Sequence, residues 1–458
     1  MKAKSVLAQE MWGKLKQQDK DYWFVARRLR GRTFCIERYP KPSYTRTSAQ
    51  DEQRNKFKSA VNAWNALSPS EKEQWNKDAE PFGLTGYQYF IQQYLLAPPA
   101  PAIWYKVTID NTANSNTLTD YQILINIQND EQFFNDCQDK REAIRLFDSD
   151  KETSLSYWIE QWDTTNHNAK IWVKVPSIPG SASKDIYISV DPDRTTDNSS
   201  IDDTFIDDIS NAQLVYLCLT CPSGTLPDLS GNNYDGTIYG ATCIDGKHTK
   251  ALSFDGINDY VQIGDVENLR FTASDQFTIL VWIKTTATER GIIFGNYRGS
   301  AYGAVNVELY DSYNGNFRVY LHNPSGTTKD WRETRSLADN TWHFLGMTYN
   351  NNTLRMYRDG SQIDDTDIHK QVNDTLSGIL YNSDGYRMGK DNRDLEGMTP
   401  KWYDGIIDEL LVFDTELTLD EINAIYNNLP YVTANYPHHV LVRKYATHEP
   451  TVTYSKES

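Results

Sequence analysis

A chain of 458 residues is too long for one hydrophobic core, and its 29 Tyr, 12 Trp and 16 Phe, set among short alternating runs of Val, Ile and Thr, favour several β-rich domains over a helical protein. The net charge of −16 is uneven: residues 1–100 hold 17 Lys/Arg against 10 Asp/Glu, and the remainder 29 against 52. An acidic body suits a surface protein or a cation binder, and a basic head suits an acidic partner such as nucleic acid or another subunit. Five cysteines are too few for a disulfide scaffold. Cys218 and Cys221 form a lone C-x-x-C with no second pair or nearby His to complete a zinc site, and beside the strand-like "LVYLCLT" they read as packing residues or one incidental disulfide. "MKAKSVLAQEMWGKLKQQDK" lacks the apolar core of about 7–15 residues that a signal peptide needs. No later run approaches the roughly 18 apolar residues of a membrane span. The expectation is a protein made in a cytoplasm without a signal peptide and without membrane insertion.

Residues 1–97 read as a helical head. "RNKFKSAVNAWNALSPSEKEQWNKDAE" places Phe57, Val61, Trp64 and Leu67 at three- and four-residue spacing, then restarts where Ser68 or Ser70 can cap a new helix. "GLTGYQYFIQQYLL" supplies a third helical piece. Upstream, "VARRLRGRTF" sets Arg27, Arg28, Arg30 and Arg32 between aromatics, a patch able to meet phosphates or another acidic partner. "AWNALSPSEKEQWNKDAE" resembles the second and third helices of an HMG box, and "TGYQYFIQQYL" resembles that family's first helix in permuted order; the resemblance implies a minor-groove binding mode. A charge run is more often a solvated face, so docking onto a protein assembly is preferred over nucleic acid.

Residues 98–102 form a stiff proline-rich spacer. From 103 to 192, "WYKVTIDN", "YQILINIQ", "IRLFDSD", "LSYWIEQW", "AKIWVKVPSI" and "KDIYISVD" alternate on a two-residue period and describe a β-sandwich. These runs resemble the domain-of-unknown-function family 2341 of archaeal and bacterial surface proteins, which has no agreed activity. The acidic, aperiodic stretch 193–210 reads as a linker. From 211 to 430, "DLSGNNYDGTIYG", "ALSFDGINDYVQIG", "FTILVWIKT", "TWHFLGMTYNNNTLRMYRDGSQI" and "YDGIIDELLVFDTELTLDEINAIYNN" resemble, in this order, the laminin-G-like, concanavalin A-like lectin fold. The tail 431–458 has one strand-like piece and no core of its own, so it is expected to lie against another domain or another chain. The fold class expected is mainly β and multidomain: a small helical head, a β-sandwich and a jelly-roll lectin domain.

No E-x-D-x-x-E strand, G-x-S-x-G elbow, H-E-x-x-H helix or phosphate loop is present, so no enzyme is expected. Calcium takes six to eight oxygen ligands, which turns rich in Asp and Asn can supply. The lectin-like resemblance implicates Asp228, Asn232 and Asp408 in a structural calcium site, with Asp235, Asp255 and Asn258 as companions. The alternative is that these residues only form turns. Glycan recognition needs aromatic faces and planar polar side chains on loops over a rigid sheet. "FGNYRGSAYG", "KDWRETR" and "GKDNRDLEGMTPKWYDG" provide that mixture and nominate Tyr297, Arg298, Trp331, Arg332, Asn392, Arg393 and Trp402.

Surface-type modules without an export signal are reconciled by a virion protein. It would be made in the host cytoplasm, assembled as a homo-oligomer with other virion subunits through its head, and displayed on the virion surface to bind host cell-surface glycan. A cellular adhesin or S-layer-associated protein, and a carbohydrate-binding accessory module of a hydrolase system, are the alternatives.

Overall fold

In the computed structural model the described residues are 22–29, 33–40, 48–96 and 103–457. They form two compact units, Met1–Ala100 and Pro101–Ser458. The first unit is not wholly helical as expected: Tyr22–Leu29 pairs antiparallel with Thr33–Pro40, because the aromatic and β-branched residues in both runs suit a strand. Arg27 and Arg28 therefore lie on a hairpin strand rather than on a helix, and Arg30 and Arg32 lie outside the described residues. Three helices follow: Ser48–Ala66, Pro69–Ala79 and Gly86–Leu96. Ser68 caps the second through a capping box, accepting from Glu71 N at 3.3 Å while Glu71 Oε2 accepts from Ser68 N at 2.7 Å. Trp64 and Trp75 pack on Phe90 with ring centroids 5.5 and 5.0 Å apart. Residues 48–96 carry five basic and six acidic side chains, so the basic excess of the head lies upstream of these helices.

The second unit begins with a sandwich. A five-stranded sheet of Ile103–Asp110, Ile144–Phe147, Ser154–Leu155, Ser183–Val190 and Thr451–Lys456 faces a three-stranded sheet of Leu118–Ile127, Tyr157–Asp163 and Asn168–Ile178. Every second side chain points inward, and Val107, Ile109, Ile125, Ile171, Ile186 and Ile188 are fully buried between the sheets. The C-terminal strand Thr451–Lys456 completes this sandwich by pairing with Ile103–Asp110 across almost the whole unit.

Residues 193–210 are structured rather than a free linker: they hold the short helix Ile201–Thr204 and the strand Asp207–Ile209. That strand pairs with Val440–Arg443, which also pairs with Leu429–Tyr431, so the tail and the supposed linker share one small sheet. Phe205 and Leu441 pack there on Trp158 and Trp172. Glu160 sits beneath with both oxygens occupied: Oε2 accepts from Trp172 Nε1 and Tyr431 OH, both at 2.8 Å, and Oε1 from Thr433 Oγ1 at 2.6 Å and Asn435 Nδ2 at 3.1 Å. The apolar environment that would forbid a bare carboxylate is offset by these four donors.

The larger sandwich stacks two antiparallel sheets. One contains, in order, Thr242–Asp245, Lys250–Asp255, Asp404–Phe413, Gln276–Lys284, Trp342–Asn350, Thr353–Arg358 and Ser361–Gln362, with Ala212–Tyr216 also pairing on Asp404–Phe413. The helix Leu419–Asn427 covers its outer face, with Ile422 and Ile425 in one cluster with Trp282 and Phe344. The other sheet has nine strands: Thr225–Leu226, Gly236–Tyr239, Tyr260–Gly264, Tyr386–Met388, Gly291–Gly295, Ala304–Tyr310, Asn316–His322, Thr328–Ser336 and Ile368–Asn373. Between them Phe294, Val307, Val319, Ile279, Val281 and Met347 are buried. The C-x-x-C is split: Cys221 is bonded to Cys243, and Cys218 is a buried free thiol. Among the described residues no helix is long and apolar enough to cross a membrane.

Replacing Glu160 by Ala leaves the buried Trp172 and the half-buried Tyr431 and Thr433 without their acceptor and should lower the stability of the joint between sandwiches by about 3 kcal/mol. Although burial pushes the Glu160 carboxyl up, its donors hold it below the ordinary 4.5. Its contribution is therefore full above that value and lost as pH falls through the lower folded value. Acid titration of tryptophan fluorescence should show the joint loosening in the wild type and a flatter response in Glu160→Gln.

Candidate functional site

The nine-stranded sheet has a second face, opposite the core, that is polar rather than solvated and plain. Along Ala304–Tyr310 and Asn316–His322 the side chains of Val305, Val307, Leu309, Phe317, Val319 and Leu321 go into the core. The alternate positions Asn306, Glu308, Tyr310, Arg318, Tyr320 and His322 line the opposite face. Register places Glu308 opposite Arg318, Asn306 opposite Tyr320, Arg318 opposite Arg332 and Tyr320 opposite Asp330. Cross-strand neighbours of opposite charge are thereby brought into contact.

Arg318 lies at the centre of this layer. Its Nε and Nη2 donate to Asp330 Oδ1 and Oδ2 at 2.6 and 2.8 Å, and its Nη1 donates to Glu308 Oε1. Arg290 donates to both oxygens of Glu308 from 3.0 to 3.3 Å, and Arg332 holds Asp330 in a fork at 2.9 and 2.6 Å. Arg318, Glu308 and Asp330 are 4%, 0% and 5% exposed, so these pairs are deep and screening by salt is slight. Burial opposes the Arg318 charge, yet Glu308 and Asp330 hold its proton affinity above the ordinary value. Burial likewise pushes Asp330 up, and its two arginines bring it below the usual carboxylate range. Tyr310 receives the guanidiniums of Arg332, Arg318 and Arg290 at 4.2, 4.3 and 5.2 Å from its ring centre, and Arg318 also lies 4.4 Å from Tyr320.

A loop, residues 389–403, is clamped over one side of this face. Asn392 N donates to Tyr297 O at 2.9 Å, its Nδ2 donates to Gly385 O at 2.8 Å, and the Arg393 guanidinium lies 5.0 Å from the Tyr297 ring. Arg298 ties the neighbouring loop down through Asp384 and Glu396 at 2.5 and 2.6 Å. Tyr297 in turn meets Tyr320 edge-on at 5.5 Å, and His322 lies 6.3 Å from it. Asn306 Oδ1 accepts from Asn296 N and Tyr297 N, which fixes where that loop leaves the sheet. A Cβ on Gly295 would stand 2.2 Å from that same oxygen, so glycine is required there. Asp391 is sealed under the loop with Arg393 Nε at 3.1 Å, and burial pushes its carboxyl up to about 6 despite that partner.

Of the side chains nominated for glycan contact, Tyr297, Arg298, Asn392 and Arg393 are brought together, and Arg332 lies across the same face. Two are elsewhere. Trp331 is not a loop residue: it sits within Thr328–Ser336, 6% exposed in the core, with Nε1 donating to Asn373 Oδ1 at 3.2 Å and Lys370 4.2 Å over its ring. Trp402 stands near Tyr260 at 6.0 Å, with the Lys390 ammonium 4.7 Å from its ring and held by Asp394 at 2.6 Å. Sequence reasoning missed Tyr310, Arg318 and Tyr320. The available signal was the alternation in "AVNVELY" and "NFRVYLH", where charged and aromatic residues take every second place in otherwise apolar strands.

Five of the six side chains nominated for calcium make hydrogen bonds within the turns, mostly with backbone groups. Asp228 accepts from Val215 N, Ser230 N, Ser230 Oγ and Tyr234 N, and Asp235 accepts from Asp228 N. Asn232 donates through Nδ2 to Gln213 O. Asp255 turns the corner that opens the Tyr260–Gly264 strand by accepting from Ile257 N and Asn258 N, and Asn258 contributes that backbone N–H. Asp408 accepts from Lys247 N and Glu409 N, while burial and the Glu409 charge push its carboxyl up. Among the described residues no group of three His, Cys, Asp or Glu is placed to hold a metal ion. The oxygens of Asp228, Asp235, Asp255 and Asp408 thus serve as turn acceptors, the alternative role stated for them from the sequence.

If these residues serve as turn formers alone, chelation with EDTA should leave the melting curve of the protein unchanged, and Asp228→Ala should cost about 2–3 kcal/mol equally with and without added calcium, because buried N–H groups lose their acceptor; a drop in melting temperature on chelation would instead support the calcium site. Trp331→Ala should destabilise by about 3–5 kcal/mol in denaturant titration, as expected of a core aromatic.

Residues 255–423 match the family model described as the concanavalin A-like lectin/glucanases superfamily, and residues 140–216 match that of domain of unknown function 2341. A curated relative, botulinum neurotoxin type X of Clostridium botulinum, is 24% identical over 362 residues, which cover 72% of this chain and 26% of the toxin. The chain thus spans about a quarter of the length of that relative. Similar solved structures include the binding domain of Paraclostridial Mosquitocidal Protein 1, at 18% identity, 47% and 52% coverage of the two chains and a TM-score of 0.37. Domain 4 of AbnA, a GH43 extracellular arabinanase of Geobacillus stearothermophilus in complex with arabinotriose, gives 18% identity, 47% and 98% coverage and a TM-score of 0.37. The chain is mainly β and multidomain, with a concanavalin A-like domain following the smaller sandwich.

Proposed function

We propose that this protein is a non-catalytic binding module of the lectin-like class that takes up cell-surface glycan on the polar face of its nine-stranded sheet. One observation carries the reading: half-buried Tyr297, Tyr310 and Tyr320 stand on strands and a clamped loop, interleaved with guanidiniums that are already fixed by ion pairs. Aromatic faces offer a surface for the C–H side of a sugar ring, and planar donors in set positions orient its hydroxyls at little entropic cost. Glu308 and Asp330 favour binding over hydrolysis, since each is committed to two arginines and neither is free to protonate a leaving group. Asp391, with its raised proton affinity, is shut away under the loop.

On this reading the smaller sandwich is a rigid mount, joined to the lectin-like domain by the small shared sheet and the C-terminal strand. The Cys221–Cys243 disulfide suits an oxidising, extracellular setting. The setting on a virus particle, with the head docked on other virion subunits and copies assembled as a homo-oligomer, is the finer part of the proposal and rests on the sequence. An adhesin on a cell surface would use the same face in the same way.

The full chain, displayed on beads so that weak single sites add up by avidity, should retain glycans on an array and adhere to cells that carry them. Tyr297→Ala should abolish retention with little change in melting temperature. Retention of no glycan by the multivalent wild type would contradict the proposal.

A further inference from the structure

We infer that the glycan bound at this face carries an anionic group, a carboxylate or a sulfate, an inference that rests on the glycan-binding reading above. The face runs against the charge of the unit that contains it. Residues 101–458 hold 29 Lys/Arg and 52 Asp/Glu. On the polar face and the loop beside it Arg290, Arg298, Arg318, Arg332 and Arg393 are paired with five acids, Glu308, Asp330, Asp384, Asp391 and Glu396, so the face is balanced in charge within an acidic unit. Its guanidiniums are buried or half-buried, where attraction between an unspent donor and an anion is strong for want of water.

Geometry says which arginines are available. Arg318 is nearly sealed and fully occupied by its two carboxylates. Arg332 and Arg393 are less sealed, with side chains 13% and 11% exposed, and stand on opposite banks of the tyrosines. Arg332 commits Nε and one hydrogen on each terminal nitrogen to Asp330 and Ser312, three of the five donors a guanidinium has. Arg393 meets Asp391 through Nε, which leaves its terminal nitrogens for a ligand. Both planes are set by their carboxylates and by stacking on tyrosine, so their remaining donors form a fixed fork of the kind that pairs with carboxylate or sulfate oxygens. A neutral sugar would meet those donors only through its hydroxyls. An acidic one meets them with carboxylate or sulfate oxygens while its ring lies on Tyr297 or Tyr320.

The test uses the full chain on an array that pairs each acidic glycan with its neutral parent: uronates with their methyl esters, sialylated with desialylated chains, sulfated with unsulfated ones. Polyglutamate serves as a polyanion without sugar. At least one acidic member should bind about tenfold more tightly than its neutral parent, the size of effect one charge-assisted hydrogen bond supplies. Arg332→Gln and Arg393→Gln should each remove most of that preference. Added salt should weaken wild-type binding to the acidic member and leave any neutral binding as it was, a comparison that needs no variant to fold. Equal binding of acidic and neutral partners would overturn this inference and leave the glycan reading standing. Polyglutamate binding as tightly as the acidic sugar would overturn it in favour of plain charge attraction. Binding to no member of either kind would remove the glycan reading itself.

Discussion

The lectin-like domain is organised around a guanidinium held between two carboxylates in a place water scarcely reaches. Arg318 cannot leave Glu308 and Asp330 without exposing uncompensated charge, and neither acid can leave it. A one-residue slip of Asn316–His322 would send Arg318 and Tyr320 into the core and turn Val319 outward, so the ion layer and the apolar layer enforce the same register. The cost of burying such a cluster is offset only when every member is paired, and here Arg290 and Arg332 complete the outer sides. What results is a row of tyrosines and arginines whose positions are decided before any ligand arrives.

The same constraint governs how that face is carried. The loop 389–403 is tied down by Asn392 on Gly385, by Arg393 against the Tyr297 ring and by Asp394 on Arg387 of the strand Tyr386–Met388, which makes it a fixed wall beside the tyrosines. Below, Glu160 gathers donors from two stretches of chain far apart in sequence, and Thr451–Lys456 closes the smaller sandwich from the far end of the chain.

Local features are legible in the sequence and long-range ones are not. The Ser68 capping box, the alternating strands of 103–192 and the concanavalin A-like order of motifs each depend on spacings of a few residues or on a familiar succession, and they are present as read. The Asp-rich turns are legible as oxygen-rich, but which hydrogens occupy those oxygens depends on Val215 and Lys247, distant in sequence from Asp228 and Asp408. Trp331 is misplaced by the sequence because charged neighbours in "KDWRETR" hide a strand that is polar on one face and apolar on the other. Arg318 and Tyr320 escape notice for the opposite reason: a charged residue within an apolar run looks like a solvated strand face until Glu308 and Asp330 are seen to close around it. The small sheet that ties 193–210 to the tail joins segments more than two hundred residues apart, and no local pattern announces it.

Hydrogen–deuterium exchange of the full chain with and without a retained glycan tests the central claim most directly, because it reports where binding occurs without relying on any substitution. Added protection should fall on 296–303, 304–322, 328–336 and 389–403, the segments that build the polar face, and should spare the smaller sandwich. Protection confined to the smaller sandwich or to the head, with none on those segments, would contradict the account.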